Sequence, residues 1–184
     1  CDENDDCLSG YCVDHMGDSV CTEACESECP PGWSCKSVNT GGSDIGFPCI
    51  SAHNHLCRTC TDYTDCTSMT GVEDACVDYG LEGNFCGSPC QSDNDCPGGF
   101  TCAEATTALG QSSNQCVYTD GLCPCSEKSI NLALETPCAL SNDLGTCGGM
   151  RACEPTGLGP CDANVPSEDV CNGEDDNCDG LVDE

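Results

Sequence analysis

The sequence predicts a small, disulfide-rich fold: tandem cysteine-rich modules with short β-hairpins, little regular secondary structure, an elongated shape and no large core. The chain has 25 cysteines among 184 residues, a density typical of disulfide scaffolds. Only 26 residues are Leu, Ile, Val or Phe, and the formal net charge is −29. Without cross-links, that composition would favour disorder. The cysteine spacings also repeat along the chain, which indicates modules and not one domain.

The cysteines also indicate where the protein works. A disulfide that closes a loop of about 15 residues contributes roughly 3 kcal/mol, and disulfides persist in oxidising compartments. We therefore expect an extracellular or cell-surface protein. Zinc binding by paired Cys-x-x-Cys motifs is the alternative, but the sequence has a single such motif, Cys57-Arg-Thr-Cys60. Four Lys and Arg against 33 Asp and Glu argue against nucleic acid as a partner. No apolar run is long enough for membrane insertion.

Two tandem modules are predicted, at 1–59 and 60–124, each with nine cysteines. The segment CPPGWSC in the first module corresponds to CPGGFTC in the second. In both modules, thirteen residues separate the last cysteine of this segment from the next cysteine in the chain. Pro and Gly in these segments indicate turns. Trp33 and Phe100 occupy matched positions, and we expect them to cover neighbouring disulfides. The segments LCRTC and LCPCS join consecutive modules with almost no linker.

The third predicted module, 125–184, has seven cysteines in a different spacing. Its segment GTCGGMRACEPTGLGPC predicts a β-hairpin followed by a Gly/Pro loop. The segment EKSINLALETPC is its most apolar part and fits either a short strand or a single helical turn.

An odd number of cysteines leaves at least one without a partner in the chain. There are three explanations. In the first, the partner cysteine belongs to another subunit or to a part of the precursor outside this sequence. In the second the thiol is free, and in the third Cys1 carries a lipid. We favour the first explanation, because the modules resemble a segment of a longer array. The candidates for an inter-chain or unpaired cysteine are Cys1, Cys57 and Cys123.

The C-terminal stretch CNGEDDNCDGLVDE has the pattern of a calcium loop. Acidic or amide side chains recur at alternate residues and Gly180 follows at loop position six, where calcium loops turn sharply. The predicted calcium ligands are Asp175, Asn177, Asp179, the carbonyl of Leu181, Asp183 and Glu184. An EF-hand has a bidentate Glu at loop position twelve, which would lie beyond Glu184 here. We expect Glu184 to substitute for that ligand. A Cys171–Cys178 bridge would take the place of the flanking helices. The alternative is a solvated acidic tail.

The stretch SEDVCNGEDDNCDGLVDE resembles the MopE-type putative metal-binding motif of large secreted and surface proteins of bacteria. The segment CALSNDLGTCGGMRACEPTGLGPCDANVP is similar to what commonly precedes that motif, so the resemblance covers roughly residues 123–184. The resemblance implies a surface location and metal binding. Hard oxygen ligands favour calcium over the copper associated with the family's name.

A second metal site is predicted from the segment SAHNHLC. His53 and His55 are two residues apart, so on a strand they would share one face. Imidazole nitrogens suit copper or zinc. Exposed loop histidines are the alternative.

The sequence predicts a structural protein and no enzyme. It has no Gly-x-Ser-x-Gly, His-Glu-x-x-His or phosphate-binding loop. We expect a calcium-binding, disulfide-stabilised subunit of a bacterial cell-surface fibre or appendage, which associates with itself or with other surface proteins of the same array. A cell-surface adhesin or a copper-binding surface protein is the alternative.

Overall fold

The fold consists of short antiparallel strand pairs held by disulfides. The computed structural model describes residues 1–25, 28–39, 45–67 and 74–183. The strands are β1 (Cys12–His15), β2 (Asp18–Cys21), β3 (Trp33–Cys35), β4 (Val38–Asn39), β5 (Ile45–Gly46), β6 (Cys49–Ser51), β7 (Ala75–Asp78), β8 (Asn84–Gly87), β9 (Phe100–Thr106), β10 (Ser112–Tyr118), β11 (Glu135–Ser141), β12 (Thr146–Glu154) and β13 (Gly157–Leu158). They form five two-stranded sheets and one three-stranded sheet, β11–β12–β13.

Helical structure is limited to single turns. In the described part of the chain the one α-helix is α1 (Glu127–Asn131), where the Ser126 side chain accepts a hydrogen bond from the Ser129 N–H as a good N-cap does. The 3-10 helices are Asn4–Asp6, Tyr63–Cys66, Gly80–Glu82 and Asp93–Asp95. None of the described helices is long and apolar enough to cross a membrane.

Four hairpins share one arrangement of cysteines. In each hairpin, two cysteines are direct partners across the two strands, so their side chains lie on the same face. The pairs are Cys12 with Cys21, Cys35 with Cys49, Cys76 with Cys86, and Cys102 with Cys116. Each predicted module therefore contains two copies of a smaller hairpin unit.

The disulfide order is the same in all four hairpin units. The two hairpin cysteines do not bond to each other; they bond to the two cysteines that precede the hairpin, first to third and second to fourth. The bridges are Cys1–Cys12 and Cys7–Cys21, Cys25–Cys35 and Cys29–Cys49, Cys60–Cys76 and Cys66–Cys86, and Cys90–Cys102 and Cys96–Cys116. Three of the four sulfur atoms in each unit lie within 4.8 Å of one another. In the unit of Cys60, Cys66, Cys76 and Cys86 all four cysteines are buried and form a small core of their own.

A carboxylate closes the turn between the first two cysteines in three units; in the remaining unit, residues 26 and 27 of that turn lie outside the described part of the chain. Asp6, Asp65 and Asp95 each accept two backbone N–H groups, at 2.8–3.3 Å. Hydrogen bonds to the charged form stabilise it, and those from the backbone lower the pKa of Asp6 and Asp95. These acidic residues thus have a structural role as caps of the short 3-10 turns.

The ninth cysteines of the two modules bond to each other. The Cys57–Cys123 bridge spans 66 residues and is buried together with Leu56, Phe85 and Phe100 in a small apolar cluster. Phe100 packs edge-on against Tyr118, with ring centroids 5.3 Å apart. The bridge brings the two ends of the second module to one point.

The third segment packs against both modules. The Lys128 ammonium contacts the Asp14 carboxylate of the first module, and the Ser126 hydroxyl donates to the Gly17 carbonyl at 3.0 Å. The Thr136 hydroxyl donates to the Asn84 carbonyl of the second module at 3.0 Å. All three segments therefore meet around the Cys57–Cys123 bridge.

The predicted fold class is confirmed: twelve disulfides and short antiparallel pairs surround a core of a few side chains. Within the third segment the bridges are Cys125–Cys153, Cys138–Cys161 and Cys147–Cys178. Except for Cys57–Cys123, every bridge falls inside one predicted module; the module boundaries stay a prediction.

Candidate metal centres

The predicted calcium loop is wound around the side chain of Asp175. The two carboxylate oxygens of Asp175 accept the N–H groups of Asp179 at 3.2 Å and of Gly180 at 2.9 Å. The Asn177 side chain accepts the Asp179 N–H at 2.8 Å, and Asp179 in turn accepts the Leu181 N–H at 2.9 Å. Gly180 has φ +95°, a conformation that glycine adopts without the cost a Cβ brings. Successive side-chain oxygens are thus bonded to the backbone of the loop itself in local turns.

The end of the loop folds back toward its beginning. One Asp183 carboxylate oxygen accepts the N–H groups of Asn172 and Gly173, both at 2.9 Å. Leu181 keeps an exposed side chain, as expected of a residue predicted to bind through its carbonyl. Glu184, the predicted last ligand, lies outside the described residues.

The donor set of the loop fits calcium. Calcium takes oxygen ligands from carboxylates, amides and carbonyls in a flexible geometry. The side chains of Asp175, Asn177 and Asp179 retain lone pairs beyond those used by the backbone N–H groups. These three side chains and the Leu181 carbonyl would hold the ion.

The structure corrects the predicted clamp of this loop. Cys178 bonds to Cys147, a buried residue of β12, and Cys171 is left as an exposed free thiol. The Asn177 carbonyl packs on Gly145, where a Cβ would lie 1.8 Å from the oxygen. The predicted Cys171–Cys178 bridge is therefore wrong, because the loop is anchored to the β11–β12 hairpin and not to its own start.

The predicted unpaired cysteines are also corrected. Cys1 bonds to Cys12 within the first hairpin unit, and Cys57 bonds to Cys123. The two modules place their ninth cysteines side by side, so neither is available to another chain. The odd cysteine is Cys171.

His55 is held as a structural residue. The residue is 5 % exposed. Its ring Nδ1 lies 3.1 Å from the Cys66 carbonyl, and Nε2 lies 3.4 Å from the Asp14 carboxylate. A metal would have to displace one of these contacts. Burial would raise the pKa of Asp14, but the hydrogen bonds from His55 and Lys128 outweigh it and hold the pKa well below its usual range.

His53 is associated with His15, which the sequence analysis did not single out. The His53 N–H and the His15 ring both contact the Ser51 hydroxyl, at 3.0 and 2.8 Å, and the His15 ring lies against Trp33 with centroids 4.9 Å apart. Burial lowers the pKa of both histidines. Strand β6 ends at Ser51, so the strand geometry that would place His53 and His55 on one face is not formed.

The cysteine groups are unavailable to a soft metal. Four groups of three sulfur atoms lie close enough to surround an ion, one group in each hairpin unit. Every cysteine in these groups is in a disulfide, whereas zinc and copper bind the free thiolate. The cysteine groups therefore provide no metal site, and calcium binding by the loop around Asp175 stays a prediction.

Fold and site together define a disulfide-rich repeat protein, of the kind that forms in an oxidising compartment, with an acidic loop at its C-terminal end. Comparison of the chain with protein-family models, with curated proteins and with solved structures gives no match. The resemblance of the acidic loop to the MopE-type motif stays a prediction.

Proposed function

We propose that the chain is an extracellular structural protein: a calcium-binding, disulfide-stabilised subunit of a bacterial cell-surface fibre or appendage. The observation that carries this proposal is the fourfold hairpin unit, in which two adjacent bridges hold the paired strands. Such units keep their shape without depending on a large hydrophobic interior, which suits a protein exposed to proteases and changing solvent.

Calcium is the ion that we assign to the loop around Asp175. A bound calcium would neutralise two of the 29 net negative charges on the chain. Like-charged subunits repel one another over about a Debye length, so charge neutralisation would favour contact between copies. Calcium binding and self-association are therefore expected to be coupled.

The experiment is a calcium titration by calorimetry, followed by sedimentation velocity with calcium or with EDTA. We expect binding in the wild-type chain, a loss of at least tenfold in affinity for Asp175→Asn, and a larger sedimentation coefficient with calcium. Glu168→Gln is the matched control, because it removes one exposed charge outside the loop. Absence of binding at about 1 mM calcium, the weak limit for extracellular sites, would exclude the calcium assignment.

The free thiol gives an independent measurement. Cys171 is the one thiol available for a bond outside the chain. Alkylation of the unfolded, unreduced protein should add one label, at Cys171. A label at any other cysteine would show that the disulfide map described above is incorrect.

A further inference from the structure

A pocket unrelated to the acidic loop lies in the second module. It has a volume of about 410 Å³ and lies between the 3-10 helix Tyr63–Cys66 with strand β7 on one side and the β9–β10 hairpin on the other. Its walls include Tyr63, Ala75, Ala108 and Leu109. Tyr63 and Leu109 are 53 % and 64 % exposed, and they form part of its rim.

Asp74 lines this pocket, and the residue is 4 % exposed. One of its oxygens accepts the Ser88 hydroxyl at 3.1 Å, and the other accepts the His55 N–H at 3.4 Å. A carboxylate can accept about four hydrogen bonds, so its acceptor capacity is not filled by these two. Burial raises the pKa of Asp74 to about 6, against the lowering effect of Ser88 and His55. At neutral pH this group is therefore a charged carboxylate with little access to water.

No lysine or arginine compensates this charge. All four of these residues, Lys36, Arg58, Lys128 and Arg151, lie in the described part of the chain. Lys128 pairs with Asp14 and Arg151 with Glu82, and none of the four is among the groups that act on Asp74. His55 is the titratable group that contacts Asp74.

A second buried acceptor lines the same pocket. Gln115 is 3 % exposed; its amide nitrogen donates to the Ser113 hydroxyl at 3.1 Å, while its carbonyl oxygen has no hydrogen-bond partner among the described residues. The pocket thus combines apolar walls with a buried negative charge and a buried acceptor that lacks a donor. A buried carboxylate with no lysine or arginine beside it is costly, and an incoming cation would offset that cost.

We propose that this pocket binds a lysine side chain of a partner protein. The four methylene groups of a lysine pack along apolar walls while its ammonium donates up to three hydrogen bonds, here to Asp74. Tyr63 also lines the pocket, and aromatic rings attract ammonium groups. The exposed Tyr63 and Leu109 at the rim would contact residues that flank the lysine, which a free amine lacks. The net charge of −29 draws a basic partner toward the protein.

The test is an NMR titration of the full chain at pH 7 with the peptide acetyl-Gly-Lys-Gly-amide. The same peptide with norleucine in place of lysine is the uncharged control. We expect the lysine peptide to shift the amide signals of residues 74–76 and 107–109 with a Kd of about 1 mM, and the norleucine peptide to bind at least tenfold more weakly. Asp74→Asn should abolish the shifts, and it should fold because it removes a buried charge.

Two controls distinguish binding in this pocket from general attraction of the lysine peptide to acidic groups: the variant Asp120→Asn and a pH series. Asp120 is exposed, so its variant has the same net charge as Asp74→Asn and should bind like the wild type. In the wild type, affinity should fall about tenfold between pH 7 and pH 5, because Asp74 takes up its proton near pH 6 whereas exposed carboxylates stay ionised down to about pH 4. Equal loss in the two variants, pH-independent binding over this range, or shifts outside the pocket would overturn the proposal. Failure of the calcium titration described above would not affect the proposal of a lysine-binding pocket, because the two sites are separate.

Discussion

Removing the Cys57–Cys123 bridge tests how much one cross-link contributes to this fold. The perturbation is the double substitution Cys57→Ala, Cys123→Ala. The bridge closes a loop of 66 residues, for which the chain-entropy relation gives about 4.4 kcal/mol at 25 °C. Other bridges already shorten that loop: the covalent path through Cys66–Cys86 and Cys96–Cys116 contains about 26 residues, which lowers the entropic contribution to about 3.5 kcal/mol.

The buried position of the bridge adds to this contribution. The two cysteines are 8 % and 5 % exposed and pack with Leu56, Phe85 and Phe100, so alanine at both positions leaves small cavities worth about 1 kcal/mol. We therefore expect the free energy of unfolding to fall by about 4–5 kcal/mol, measured by urea denaturation without reductant. Removal of Cys1–Cys12, which closes only 11 residues, is the control and should cost about 2.8 kcal/mol. A smaller loss for the long loop than for the short one would refute the reasoning.

Two further predictions concern contacts of the third segment. Lys128→Met removes the cation beside Asp14. It should lower the free energy of unfolding at pH 7 by about 0.5–1 kcal/mol, a small amount because the ion pair is partly exposed. The control is Lys36→Met, which replaces an exposed lysine and should have almost no effect. The folded-state pKa of Asp14 is depressed, so the contribution of its ion pair to the free energy of unfolding is present above about pH 4 and is lost as the pH falls below that value. An effect of Lys128→Met that is undiminished at pH 2 in an acid titration would contradict this. Gly145→Ala places a Cβ 1.8 Å from a loop carbonyl and should cost about 1–3 kcal/mol in urea denaturation and weaken calcium binding, whereas Gly148→Ala, with no atom within 4 Å, should do neither.

Cysteine spacing led to the prediction of tandem modules, which stays a prediction, but it did not indicate the smaller hairpin unit that the disulfides define. The first two cysteines of a unit are separated by five residues in CDENDDC and by three in CESEC, and the hairpins differ in length. What the units share is the register that places two cysteines opposite each other, as in Cys35 with Cys49. Register is a three-dimensional property, so a one-dimensional spacing pattern does not reveal it. Pairing is equally hidden, since even eight cysteines allow 105 combinations.

The acidic loop shows the same contrast between local and long-range order. Its turns come from side chains that bond to the backbone two to five residues later, such as Asp175 to Gly180, so the local sequence was enough to indicate a turn there. The bridge partner of Cys178 lies 31 residues away, on a strand whose position depends on the β11–β12 hairpin. Proximity in the sequence favoured Cys171, and tertiary structure favoured Cys147.

The small number of basic residues has a consequence for proteolysis. Trypsin cleaves after Lys and Arg, and this chain has four such sites, at Lys36, Arg58, Lys128 and Arg151. Each site lies within a span closed by a disulfide: Cys29–Cys49, Cys57–Cys123 or Cys125–Cys153. The peptide between Lys128 and Arg151 is held by a fourth bridge, Cys138–Cys161. Complete tryptic digestion would therefore produce five peptides that remain covalently joined as one particle, and only a reductant would release them.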